Sequence, residues 1–136
     1  MEDTSPSPVA ATQMWLTGAA TRHAVGVPIS VQVRDEKGVW LADLGDVRDL
    51  VPSFPSDVGS ALPGIGERES YPLLGHVDPF GETCFNQLQV STLLAELDHL
   101  AATKPNADRK ALAGAVRVLV ATHMSRPHRY LWFIGD

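Results

Sequence analysis

Four side chains of ligand or nucleophile type, His76, Asp78, Glu82 and Cys84, fall within nine residues of one another in a chain of 136. An imidazole, carboxylates and a thiolate are groups that zinc accepts. A cysteine beside a histidine base is also the arrangement of a thiol nucleophile. The spacing speaks against both. No Cys-x-x-Cys or His-Glu-x-x-His occurs, and the mixed intervals match no tetrahedral zinc pattern. Residues 78–82 lack the alternating oxygen donors of a calcium loop. Cys84, set between Thr83 and Phe85 in a run of strand type, reads as a small buried hydrophobe rather than an activated thiol. Gly64-Ile65-Gly66 lacks the preceding strand and the lysine of a phosphate-binding loop. No catalytic residue, metal or cofactor is therefore expected. A small metal-dependent or thiol enzyme using His76, Asp78, Glu82 and Cys84 stands as the alternative.

The same residues make better sense as backbone chemistry. Asp78-Pro79-Phe80-Gly81 has aspartate, proline and glycine where a β-turn wants them. Residues 73–77 and 83–88 are then the arms of a second hairpin, and Asp78 bonds its own turn. Asn86 and Gln89 stand where a helix begins and serve to cap it. The run from Asp78-Pro79-Phe80-Gly81-Glu82-Thr83 through Phe85-Asn86 and Leu88-Gln89, with Leu93-Leu94-Ala95-Glu96-Leu97 and the terminal Tyr130-Leu131-Trp132-Phe133-Ile134-Gly135-Asp136, resembles a family of small uncharacterised actinobacterial proteins. The resemblance covers residues 73–136. It implies a shared fold, with no known activity and no catalytic residues.

Elements on either side must position this segment. Residues 27–34 alternate Val27, Ile29, Val31 and Val33 with polar neighbours, the period of a half-buried strand. Pro28 belongs at its start or on an edge. Asp35-Glu36-Lys37-Gly38 supplies a hairpin turn, and residues 39–44 return as a second strand. Residues 46–51 form a helical turn with Asp46 as N-cap, stopped by Pro52. Residues 52–70, rich in proline and glycine, are long for a loop and read as a mobile or working surface. Residues 90–103 carry Val90, Leu93, Leu94, Leu97, Leu100 and Ala101 at helical spacing. Lys104-Pro105 ends that helix, and Asn106 caps a second over residues 107–124. So short a connection makes the two antiparallel. Residues 129–134 are aromatic and β-branched, a buried terminal strand whose Tyr130, Trp132 and Phe133 are expected to pack in the core rather than form a stacking platform. Tyr130, Arg126, His128 and Arg129 are alternative contact residues at its exposed end. The whole is α+β: a small antiparallel sheet of two hairpins and a C-terminal strand, with two antiparallel helices on one face. Residues 25–136 form one domain, behind a mostly disordered tail over residues 1–24.

Composition, at 44% apolar and 20% charged, is that of a globular chain. One cysteine allows no internal disulfide, and no secretory signal or membrane span is expected, which points to the cytoplasm. Charge is uneven. Between Asp35 and Asp98 twelve acidic residues face three basic ones, and from Lys104 onward six basic face two acidic. An acidic middle repels phosphates, so no nucleic acid is expected. The leading expectation is a non-catalytic interaction module, an immunity-type inhibitor of a basic toxin being its concrete form. Its partner-binding residues would be Asp43, Asp46, Asp49, Asp57, Glu67 and Glu69, steering a cationic protein. An oligomeric accessory protein, with an apolar face covered by a second copy, is the remaining alternative.

Overall fold

The computed structural model describes residues 28–103 and 106–135. The expected tail over residues 1–24 and the Lys104-Pro105 stop lie outside them. Strand β1 (Ser30–Asp35) turns back into β2 (Trp40–Asp43). The turn closes with Gly38 N donating to Asp35 O at 3.0 Å, and Gly38 takes φ of 80°, a conformation glycine adopts without cost. Three 3-10 helices and one short α-helix follow: η1 (Leu44–Leu50), α1 (Val58–Ala61), η2 (Ile65–Ser70) and η3 (Leu74–His76). Then come β3 (Glu82–Phe85), helices α2 (Gln87–Thr103) and α3 (Ala107–His123), and β4 (Arg129–Ile134).

The four strands form one antiparallel sheet in the order β2-β1-β4-β3. Alternation decides which side chains face the helices. Val31, Val33, Leu131, Phe133 and Phe85 point inward and are buried, and they meet Leu93, Leu97 and Leu100 of α2 with Leu112, Val116 and Leu119 of α3. Each such side chain stabilises the fold by about 1.5–3 kcal/mol. That exceeds what a helix cap contributes, about 1 kcal/mol, so packing sets where the helices lie and caps set where they start. Asn106 Oδ1 accepts from Arg109 N at 2.7 Å. Asn86 and Gln89 exchange reciprocal bonds of 3.0 and 2.9 Å at the start of α2. The exposed Arg117–Asp98 pair joins the two helices.

The α+β class, with two helices on the sheet, is the one expected. Its second hairpin is not. Residues 73–77 coil into η3 instead of a strand arm, because Glu96 on α2 draws in the Leu73 and Leu74 amides. Strand β3 pairs with β4 alone, Cys84 opposite Trp132. Asp46 is not the cap of η1 either. Asp43 is, and Asp46 sits at the third helical position, where it completes a capping box. Residues 52–70 fold into α1 and η2 rather than an open loop. Among the aromatics of β4 only Phe133 enters the core, edge-on to Phe85 at 5.8 Å. Tyr130 and Trp132 share the opposite face by period two, with the Arg34 guanidinium 5.0 Å from the Trp132 ring centre.

Candidate functional site

The structure separates the six acidic candidates into carboxylates turned on the chain itself and carboxylates turned outward. Asp43 Oδ1 accepts from Asp46 N at 3.2 Å, and Asp46 Oδ2 accepts from Asp43 N at 2.8 Å. Asp57 caps α1 by accepting from Gly59 N at 3.0 Å. Glu67 Oε1 accepts from Gly64 N and from Arg109 Nη2, both at 2.9 Å, with Glu67 and Arg109 only 17% and 9% exposed. Asp49 and Glu69 are exposed, and their carboxylates have no hydrogen bond or ion pair among the described residues.

Geometry then arranges three of these in a row. A 3-10 helix has three residues per turn, so side chains three apart eclipse. On η1 this stacks Asp43, Asp46 and Asp49 along one side. The adjoining row begins with Leu44 and Val47, both in the core. Arg48 stands on the third row, its guanidinium 4.0 Å from the Phe54 ring centre. The core side holds the helix in place, so Asp46 and Asp49 project into solvent from a fixed base. Glu69 lies on a different element, η2.

Just before this row in the chain, where Asp43 both ends β2 and caps η1, the surface changes character. Val39, just before β2, and Trp40 and Leu41, its first two residues, are 52%, 56% and 41% exposed. Strict alternation would turn one of Trp40 and Leu41 inward. A bulge prevents this: Val33 pairs with Ala42 and Arg34 with Trp40, leaving Leu41 as the extra residue. Asp35 opens the same hairpin. The Val39 amide, with the Lys37 amide behind it, holds its carboxyl below the usual carboxylate range.

The four residues with ligand or nucleophile chemistry do not converge. Among the described residues no group of three His, Cys, Asp or Glu side chains is placed to hold a metal. His76 lies in η3 and is exposed. Asp78 accepts from Phe80 N at 2.8 Å, and its own amide donates to Thr83 Oγ1 at 3.0 Å, so it shapes the turn with Pro79 and Gly81. Glu82 and Cys84 sit on β3. Cys84 was expected to be buried, but its period-two position puts it on the outer face, where it is exposed. Neighbouring side chains still withdraw solvent from its sulfur and push the thiol pKa up, against a smaller opposing pull from Arg34.

Three residues that organise this surface carry no signal of their own in the sequence. Arg109 is buried in the first turn of α3 and donates to Ala61 O at 3.2 Å and Leu62 O at 3.3 Å besides Glu67. Asp108 accepts from Ser56 N at 2.9 Å and from the hydroxyls of Ser56 and Ser60. Those bonds, the Ser56 amide foremost, hold its carboxyl below the usual range. Glu96 is buried on α2 and receives the amides of Leu73 and Leu74. The only early sign was positional: Asn106 as cap places Asp108 and Arg109 in a first helical turn. Among the described residues no helix is long and apolar enough to cross a membrane. The chain matches no protein-family model, no curated protein and no solved structure.

Proposed function

We propose that this chain is a non-catalytic protein-interaction module that holds a basic partner at an acidic surface in the cytoplasm. Its concrete form is an immunity-type inhibitor that covers a basic toxin. The supporting observation is the η1 row. Asp46 and Asp49 stand outward three residues apart, on a helix anchored in the core by Leu44 and Val47. Fixed like charges raise the local concentration of a cationic protein and orient its approach. Asp43, Asp57 and Glu67 leave the list of contact residues, being half-buried with carboxylates that serve the chain's own backbone, whereas Asp46 gives one oxygen to Asp43 N but is exposed and stays. Glu69 stays as a second, separate point of negative charge.

The test is capture of partners from a lysate of the cells that make the protein, followed by identification. The wild-type chain is expected to hold a basic protein, releasing it in about 0.5 M salt, where screening acts within a few ångströms. Asp46→Lys with Asp49→Lys is expected to lose it at any salt. Capture that survives both the charge reversal and the salt would end this reading.

A further inference from the structure

An exposed apolar run lies just before the acidic row in the chain. Trp40 and Leu41 are consecutive, belong to an edge strand, and are both exposed because of the bulge at Leu41, with exposed Val39 just ahead of them. Strand β2 is hydrogen-bonded to β1 on one side and to no other strand among the described residues. Edge strands are ordinarily guarded by lysine, proline or charge within the strand. Here the first two positions are tryptophan and leucine, and the one charge of the strand, Asp43, comes at its end. Large exposed aromatics of this kind are the side chains most enriched at the centre of protein interfaces.

We infer that Trp40 and Leu41 are the apolar anchor of the partner site, and that Asp46 and Asp49 are its charged rim. The segment that fits is short, rich in lysine or arginine, and carries a large aliphatic side chain. This rests on the reading of the chain as a binder of basic proteins, and specifies where and by what chemistry it binds. The choice of occupant follows from charge. From Asp35 to Asp49 five carboxylates face two basic residues, Lys37 and Arg48. A second copy of the chain would bring that same excess against itself, whereas a cationic segment neutralises it. An uncharged apolar segment would leave the rim unanswered. Trp40 also lies across the strand from Arg34, whose guanidinium is held by Gln32 Oε1 at 3.1 and 3.0 Å. The indole therefore stands beside a fixed neighbour.

Three blocked ten-residue peptides separate the contributions: alternating lysine and leucine, alternating lysine and serine, and alternating glutamate and leucine. Binding is followed by the backbone amide shifts of residues 39–49 in the full chain at low salt. The lysine–leucine peptide is expected to bind at least tenfold more tightly than lysine–serine, and the glutamate peptide not at all. Trp40→Ser should erase the lysine–leucine advantage and leave lysine–serine binding as it was. Asp46→Asn with Asp49→Asn should weaken both. Both variants change exposed side chains, and unchanged circular dichroism checks that they fold.

Equal binding of the two lysine peptides, or a Trp40→Ser chain that keeps the preference, overturns the anchor while the acidic-surface reading stands. Binding by neither lysine peptide removes the acidic-surface reading with it. If sedimentation shows a dimer that Trp40→Ser converts to monomer, the apolar run belongs to a second copy and this inference fails.

Discussion

Arg109 Nη2 donates to Glu67 Oε1 across 2.9 Å in a largely buried setting, and the same guanidinium reaches the carbonyls of Ala61 and Leu62. One side chain on the first turn of α3 thus fastens the stretch from α1 to η2, rich in proline and glycine, to the helical layer. Removing one partner of a buried pair leaves the other charged and unanswered, at about 3–5 kcal/mol. Arg109→Ala is therefore expected to lose about that much in urea denaturation. Arg109→Lys should recover only part, since an ammonium lacks the fork that serves three acceptors. Glu67→Gln, which keeps an oxygen for Gly64 N, should cost less than Arg109→Ala.

Glu96 governs the next stretch in the same manner. Its two oxygens receive Leu73 N and Leu74 N at 2.9–3.1 Å. Glu96→Ala would leave both amides inside without a partner, at about 1–3 kcal/mol for each. Glu96→Gln retains one oxygen and is expected to fall between. Hydrogen exchange locates the effect: the Leu74 amide should lose protection in Glu96→Ala before the amides of β4 do.

Two glycines should respond to alanine with opposite sign. At Gly135 an added Cβ would lie 2.1 Å from the Pro79 carbonyl oxygen, and Gly135 N already donates to Gly81 O at 2.6 Å. Backbone cannot yield as a side chain tip can, so Gly135→Ala is expected to destabilise by about 1–3 kcal/mol. At Gly114, within α3, a Cβ meets nothing within 4 Å. Gly114→Ala should stabilise by up to about 1 kcal/mol through helix propensity. Thermal melts of the two variants beside wild type decide both.

Asp108 gives stability an acid limb. Its folded pKa is depressed, chiefly by the Ser56 amide. A depressed carboxylate contributes stability that is fully present above the unfolded value, about 3.9 for aspartate, and is lost as the pH falls through the lower folded value. Asp108→Asn should therefore narrow the gap between urea midpoints measured at pH 7 and below pH 4. Asp35, depressed by the Val39 amide, acts in the same window, so the gap should shrink and not vanish. An unchanged gap would show that the bonds to Ser56 and Ser60 contribute nothing to folding.

Much of this fold is local and so was open to reading. Period two at Val31 and Val33, helical spacing from Val90 to Ala101, Gly38 in its turn and Asn106 at its cap all act within a few residues. Their placements hold to within a few positions. The same locality misled at residues 73–77, where a turn at Asp78-Pro79-Phe80-Gly81 suggested a hairpin. That turn forms, yet its flank goes to Glu96, 22 and 23 residues on, and β3 completes its pairing with β4 instead.

Sequence alone determined the α+β class, the caps of the two long helices and the acidic weight of the middle of the chain, because composition and short-range periodicity express them directly. Tertiary structure decided which carboxylates are available. Asp57 and Glu67 look like Asp49 and Glu69 in one dimension. They differ only through a backbone they cap and an arginine 42 residues away. A 3-10 turn then put Asp46 and Asp49 in one row, and a single bulge exposed both Trp40 and Leu41 on the strand that leads into it. Whether a charge serves the fold or faces a partner depends on what the folded chain sets against it.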